Sequence, residues 1–249
     1  MPKDRFFIKS ELTAGKSVLL EGDEARHMRL VMRKAKGAHI ELVNGKGALA
    51  TASILNESKK GVELDVLDVE FQEKSAIQTH LLQAVIRPQK VELVIEKAVE
   101  LGVDHIILFQ ADYSDKKQVK PERLEHIAIS ALKQSGRLFM PEVHYAKSLD
   151  EALFSANHAV DDTQIDKAKG TSLFYGDIEG TSQHELFVTI DQTKKPSNSI
   201  AFVIGPEGGL SPQEIELLKK NKAQSVRLGP YILRSETASI LACGFMGLN

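Results

Sequence analysis

The sequence predicts an α/β protein in two parts, a small N-terminal β-barrel over residues 1–72 and a larger α/β domain over residues 73–249. Three observations predict it. The first 72 residues read mostly as short β-rich segments divided by Gly, Asn and Lys turns. Beyond the polar stretch FQEKSAIQ, apolar strands alternate with helical spacings, the pattern of a largely parallel sheet covered by helices. Near the C-terminus two strands run into glycine-bearing loops, and open α/β sheets bind ligands at such carboxyl ends.

In the N-terminal part, RFFI (5–8), KSVLL (16–20), AHIELV (38–43), ALATASIL (48–55) and GVELDVLDVEF (61–71) are the expected strands. One helix interrupts them, EARHMRLVMRKA (24–35), with Asp23 as its expected N-cap. Strands and helix together suit a small barrel. After the linker, HLLQAVI (80–86) is a short apolar strand. QKVELVIEKAVEL (89–101) carries Val91, Leu93, Val94, Ala98 and Leu101 at helical spacing, and Gly102 stands where a capping glycine belongs. DHIILFQ (104–110) is the next strand. The helix PERLEHIAISALKQSG follows, with Pro121 at its start and Gly136 at its end. SLFYG (172–176), IAFVI (200–204) and SVRL (225–228) are three further strands, while residues 156–170 and 191–199 are polar and read as loops.

Composition narrows the class. The chain has 249 residues, 42% hydrophobic and 27% charged, an ordinary globular balance. Its single cysteine, Cys243, permits no intramolecular disulfide and no cysteine-based zinc site, so it reads as a small core residue and no metal site is expected. No apolar run approaches the roughly 18 residues of a membrane span. MPKDRFFIKS lacks the apolar stretch of a signal peptide, so a cytoplasmic location without membrane association is expected. The net charge of −2 is unevenly spread: residues 1–60 hold 12 Lys and Arg against 7 Asp and Glu, a net of +5, and the remainder is −7. Such a split points to a polyanion met by the N-terminal part.

The first glycine-bearing loop reads IAFVI-GPEGGL-SPQEIELLKK. Ser211 is an N-cap, Pro212 occupies the first helical position and Glu214 lies three residues past the cap, so a capping box is expected. The loop lacks GxGxxG spacing and no Gly-Lys-Ser/Thr follows it, which excludes the dinucleotide and P-loop fingerprints. The second loop reads SVRL-GPYILRSETA-SILACGFMGL. Its closing helix is almost wholly apolar and must be buried all round, which points to a second subunit. Ser235 or Thr237 can cap that helix, and Glu236 suits its positive end. Arg234 has no such structural reason.

GPEGGLSPQEI and LGPYILRSETA resemble the two C-terminal signatures of the RsmE-type small-subunit ribosomal RNA uridine-N3 methyltransferases, within the SPOUT superfamily of knotted methyltransferases. RFFI with Arg5, HMRLVMR (His27 to Arg33), EKAVELGV (Glu96 to Val103) and KQSGR (Lys133 to Arg137) resemble the family's other motifs, in the same order and over nearly the whole chain. The chain departs from that pattern in ADYSDKK, at Tyr231 and at Lys133.

The resemblance implies a C-terminal trefoil-knotted methyltransferase domain, a PUA-like N-terminal barrel, S-adenosylmethionine as cofactor, a homodimer, and small-subunit (16S) ribosomal RNA or the assembled 30S subunit as substrate. It implies cofactor contacts from Ile204, Gly205, Glu207, Gly208, Gly209, Leu228, Gly229, Ile232, Leu233, Thr237 and Ala238, mostly through backbone groups. Methylation of uridine N3 needs the imide proton removed and the resulting charge stabilised. Arg234 is the expected cation and Glu236 the expected base, with Glu207 as a second possibility or a brace for its own loop. Arg5, Arg26, His27, Arg29 and Arg33 are the expected RNA contacts. Arg26, Arg29 and Arg33, spaced three and four apart, share one face of a regular helix. Three other readings compete on the sequence: a different methyl transfer of the same superfamily, such as ribose 2′-O methylation; a non-enzymatic RNA-binding factor that kept the fold; and a nucleotide-binding enzyme using the Gly-rich loop for phosphate, which the missing Lys-Ser/Thr pair disfavours.

Overall fold

A computed structural model describes residues 4–32, 35–114, 119–158, 171–182 and 199–247. The chain forms two compact units, residues 1–74 with 129–140, and residues 75–128 with 141–249. The sequence-based division at residue 72 left 129–140 with the second domain, whereas their contacts group them with the first.

The first unit is a five-stranded sheet in the order β1 (Arg5–Phe7), β3 (His39–Val43), β4 (Ala48–Glu57), β5 (Val62–Phe71), β2 (Ser17–Leu20). β1 pairs with β3 in parallel and the other pairings are antiparallel. The sheet is a curled half-barrel. Two register shifts between β4 and β5 bend these long strands, as bulges do. Phe6, Leu20, Met28, Leu42, Ile54 and Leu64 fill the concave side. The helical segment differs from its expected form. α1 (Gly22–His27) is capped at Glu21 rather than Asp23, with no side-chain cap, and it widens into a π-helical turn over Met28–Met32. The regular spacing expected for its arginines therefore breaks at Met28. Residues 136–140 bind the β3–β4 turn: Gly47 N–H donates to Leu138 O (3.0 Å) and Met140 N–H to Gly45 O (2.9 Å). Gly47 has φ +93°, and a Cβ there would fall 2.6 Å from the Phe139 ring, so this turn requires glycine.

The second unit is a six-stranded, all-parallel sheet in the order β11 (Gln224–Val226), β9 (Ser172–Thr181), β10 (Ile200–Ile204), β6 (Thr79–Ala84), β7 (His105–Phe109), β8 (Glu142–Ala146). β6, β7 and β10 are buried along their whole lengths, as parallel strands covered on both faces must be. The strand period of two sends Leu82 and Ala84 to the core beneath α4 (Leu149–His158). It sends Gln83 to the other face, against α6 (Ser235–Gly247). α2 (Pro88–Glu100) buries Val91, Val94, Ile95, Ala98 and Val99, a spacing close to that expected, and α3 spans Pro121–Ser135.

β8 and α4 lie outside the elements expected from sequence. β8 is an edge strand with an exposed, polar face. α4 did carry a signal, because Ser148 Oγ accepts from Glu151 N–H and Glu151 Oε2 accepts from Lys147 N–H. The helix runs to residue 158, into the stretch read as loop; residues 159–170 and 191–198 lie outside the described residues. Among the described residues no helix is long and apolar enough to cross a membrane.

Candidate functional site

A cavity of about 560 Å³ opens at the carboxyl ends of β10 and β11, beside β9. Its walls are residues 175–178 in the middle of β9, the loop 204–210 after β10 and the loop 227–235 after β11. Of the expected cofactor residues, Ile204, Gly205, Glu207, Gly209, Leu228, Gly229, Ile232, Leu233 and Ala238 line it, and so does Arg234. Gly208 and Thr237 do not. A Cβ on Gly208 would meet the Tyr113 side chain at 3.1 Å, on the far side of the loop. Thr237 is exposed to solvent. Tyr175, Gly176, Asp177 and Ile178 form a wall that the sequence reading missed; strand pairing of β9 between β10 and β11, invisible in sequence, brings it there.

The first loop is built as its sequence requires. Gly209 N–H donates to Pro206 O (2.9 Å), closing a tight turn in which Gly209 adopts φ +78°. The capping box at α5 (Pro212–Lys220) forms in full, with Ser211 Oγ accepting from Glu214 N–H and Glu214 Oε2 accepting from Ser211 N–H. Ser211 Oγ also donates to the Asp112 carboxylate, and Asp112 N–H donates to Glu214 Oε1, so the loop after β7 anchors this helix start.

The second loop is tied to the first by a buried polar chain. Ser235 Oγ donates to the Gly205 carbonyl (2.6 Å), Gln83 Nε2 donates to Ser235 Oγ (3.1 Å), and Ser239 Oγ donates to Gln83 Oε1. Ser235 thus joins the two loops and does not cap its own helix, which starts with Ala238 N–H on Arg234 O. Outside this chain, Lys90 Nζ bridges both loops, donating to Glu207 (3.2 Å) and Glu236 (3.1 Å). Glu207 braces its loop through this lysine, in place of the backbone N–H groups expected.

Glu236 is buried and does not face the cavity. Burial opposes its charged form. The backbone N–H at its helix start, the hydrogen bond and charge of Lys90, and the charge of Arg234 outweigh that and hold its carboxyl below the usual range. A carboxylate held this way is a poor proton acceptor. Burial pushes the Cys243 thiol up to about 12, as befits the inert core residue expected.

In the N-terminal unit the expected RNA contacts fall into different roles. The Arg5 side chain is only 8% exposed, with Nε and a guanidinium nitrogen both 2.8 Å from Glu41 Oε2, which withdraws it from the surface. Arg29 donates to the Ala25 and Ser58 carbonyls (3.4 and 3.0 Å). Arg26 and His27 are exposed, and Arg33 lies outside the described residues. Lys59 and Lys60, on the β4–β5 turn, join Arg26 and Arg29 around one hollow. About thirty residues of sequence separate the two pairs, and only the hairpin brings them together.

The chain matches the RNA methyltransferase domain family over residues 73–247 and the RNA methyltransferase PUA domain family over residues 20–67. It is similar to ribosomal RNA small subunit methyltransferase E of Bacillus subtilis, 30% identical over 248 residues that cover 96% of this chain and 93% of that one. The protein of that name from Mycobacterium bovis is 27% identical, covering 98% and 90%. In structure it is similar to ribosomal RNA small subunit methyltransferase E from Neisseria gonorrhoeae bound to S-adenosyl methionine, at 28% identity and TM-score 0.79, covering 99% and 96%. A Legionella pneumophila methyltransferase solved with the same cofactor aligns at 27% identity and TM-score 0.78, covering 97% and 96%.

Proposed function

The chain belongs to the RNA methyltransferase family, as one of the ribosomal RNA small subunit methyltransferases E, and from that premise we propose that it methylates N3 of a uridine in small-subunit ribosomal RNA. It is an S-adenosylmethionine-dependent enzyme. The observation that carries the reading is the cavity at the ends of β10 and β11 with Arg234 in its wall.

The residues present suit the cofactor. The volume lies in the range of small-molecule sites. Gly176, Gly205, Gly209 and Gly229 let a ligand approach the backbone, Ile204, Leu228 and Leu233 supply apolar cover, and Asp177 and Glu207 supply negative charge for a sulfonium and an ammonium group. When bound, the cofactor supplies an activated methyl group. The chain's own residues do the rest. The loop 205–209 and the loop 228–233 would hold it, the Gln83–Ser235–Gly205 chain keeps the two loops at a fixed separation, and Arg234 stabilises the charge that builds on the uracil carbonyl oxygens as N3 gives its proton to solvent water at the open cavity mouth. We assign Glu236 to bracing this loop against Lys90, in preference to the role of base.

The same proposal includes a homodimer, a knotted domain and a cytoplasmic location with the ribosomal subunit as partner. α6 supports the dimer: Leu241 and Thr237 are exposed on one stripe, with Gly244 half-buried beside them. At the cavity mouth Tyr231 and Ile232 are 79% and 86% exposed, an apolar surface of the kind a partner or substrate covers. Transfer of labelled methyl to small subunits from cells lacking the endogenous enzyme, followed by nucleoside analysis, tests the reading. Labelled 3-methyluridine is the expected product; label on ribose or on another base would refute the N3 assignment.

A further inference from the structure

The parallel sheet of the second unit also has an amino end, and three donor atoms converge there. His105 begins β7, and Glu142 and His144 stand on β8. His105 Nδ1 lies 3.5 Å from Glu142 Oε2, and His144 Nε2 lies 3.2 Å from the same oxygen. All three donor atoms fall within 4.8 Å of one another. Register explains the cluster. β7 and β8 pair in parallel with His105 opposite Glu142, and His144 follows two residues on, on the same face of the strand. Tetrahedral zinc holds nitrogen and oxygen ligands at about 2.0–2.2 Å, which places neighbouring ligand atoms roughly 3.3–3.6 Å apart. Both separations from Glu142 Oε2 lie close to that edge length.

The ring of His105 is oriented for such a role. Gln78 Nε2 donates to the Ser75 carbonyl (3.0 Å), so Gln78 Oε1 is the atom that faces His105 Nε2 at 3.3 Å. In the tautomer that donates from Nε2 to Gln78 Oε1, Nδ1 is the nitrogen turned toward Glu142 and available to a metal ion. His80 stacks on His105 with centroids 4.5 Å apart and planes 9° from parallel, fixing the ring plane. A ligating histidine whose second nitrogen is held by an oxygen acceptor is the usual arrangement around protein-bound zinc.

We propose that His105, Glu142 and His144 bind one divalent transition-metal ion of the zinc type, with a fourth position open to water. Two imidazoles and one carboxylate favour zinc over magnesium and calcium, which take oxygen ligands. His105 is buried, whereas Glu142 and His144 are exposed, so the ion enters from solvent. The site joins β7 to the edge strand β8, and its role is to hold that edge.

The test is calorimetric titration of the chelator-treated full chain with Zn²⁺, with Co²⁺ as a spectroscopic stand-in. One zinc per chain, a raised Tm and the visible absorption of tetrahedral Co²⁺ are expected. Glu142→Gln and His144→Ala change surface side chains and leave the fold intact, and either should abolish the Co²⁺ spectrum. Gln78→Ala should weaken zinc binding by about 10–100-fold. A wild-type chain that takes up no zinc, or a Glu142→Gln/His144→Ala double variant that binds it as tightly as wild type, overturns the proposal.

Discussion

Arg234 and Glu236 are two residues apart, yet the fold gives them opposite surroundings. Arg234 is exposed at the cavity wall, while Glu236 is buried against Lys90. Arg234→Ala should therefore lower methyl transfer by roughly 10²–10³ while cofactor affinity stays near wild type; turnover close to wild type in a single-turnover assay would remove Arg234 from the mechanism. Glu236 makes a different prediction. Its folded-state pKa lies below the ordinary value, so its contribution to stability is full above that ordinary value and is lost as pH falls through the folded pKa. Glu236→Gln should cost about 1.5–3 kcal/mol at neutral pH, the worth of a hydrogen bond between charged groups, and the cost should shrink on acidification. Urea unfolding at several pH values measures this. A loss of stability independent of pH would detach it from the Lys90 pair.

Among the elements, α6 is both a core helix and the carrier of the second loop. Its buried face includes Ser235, Glu236 and Ser239 among apolar residues, so its interior side is not purely hydrophobic. Ser239 and Ser235 meet Gln83 at the carboxyl end of β6, and Ser235 goes on to the Gly205 carbonyl. Ser239→Ala leaves the buried Gln83 Oε1 without this donor, and the penalty for such a group is about 1–3 kcal/mol. The expected outcome is lower stability together with weaker cofactor binding, because the same chain spaces the two loops. A stability loss with unchanged cofactor affinity by calorimetry would limit the chain to a packing role. The polar residues of α6 were visible in the sequence, but their partner was not, since Gln83 lies 152 positions before Ser235.

Across the molecule as a whole, two surfaces bear on the proposed partners. The hollow formed by Arg26, Arg29, Lys59 and Lys60 is basic in a chain whose net charge is −2. Lys59→Glu with Lys60→Glu should weaken RNA binding and flatten its dependence on salt, by close to one unit of slope for each phosphate that is no longer neutralised. A slope equal to that of wild type would return these lysines to ordinary surface charge. The exposed stripe of α6 is the second surface. Leu241→Glu sets a charge in the middle of it and should convert the proposed dimer to monomer in sedimentation velocity, with the isolated fold retained. A wild-type chain that sediments as a monomer would refute the dimer itself.

Most elements, and the two loops that line the cavity, were legible in the order of residues alone. β-branched and apolar runs marked most strands, helical spacing marked α2 and α3, and Ser211-Pro212 with Glu214 specified the start of α5 by local hydrogen bonding. These are short-range effects, settled within a few residues of chain. What lies beyond that range came from the folded arrangement. Sheet order placed β9 between β10 and β11 and so added the wall at residues 175–178. Folding paired Arg5 with Glu41, taking a basic residue out of the surface, and brought Lys59 and Lys60 to the arginines of α1. It engaged Glu236 with Lys90, 146 positions earlier in the chain, which separates the carboxylate from the cavity. Charge, burial and pairing depend on neighbours that only the closed sheet supplies, and for that reason residue identity could be read from the sequence while residue role could not.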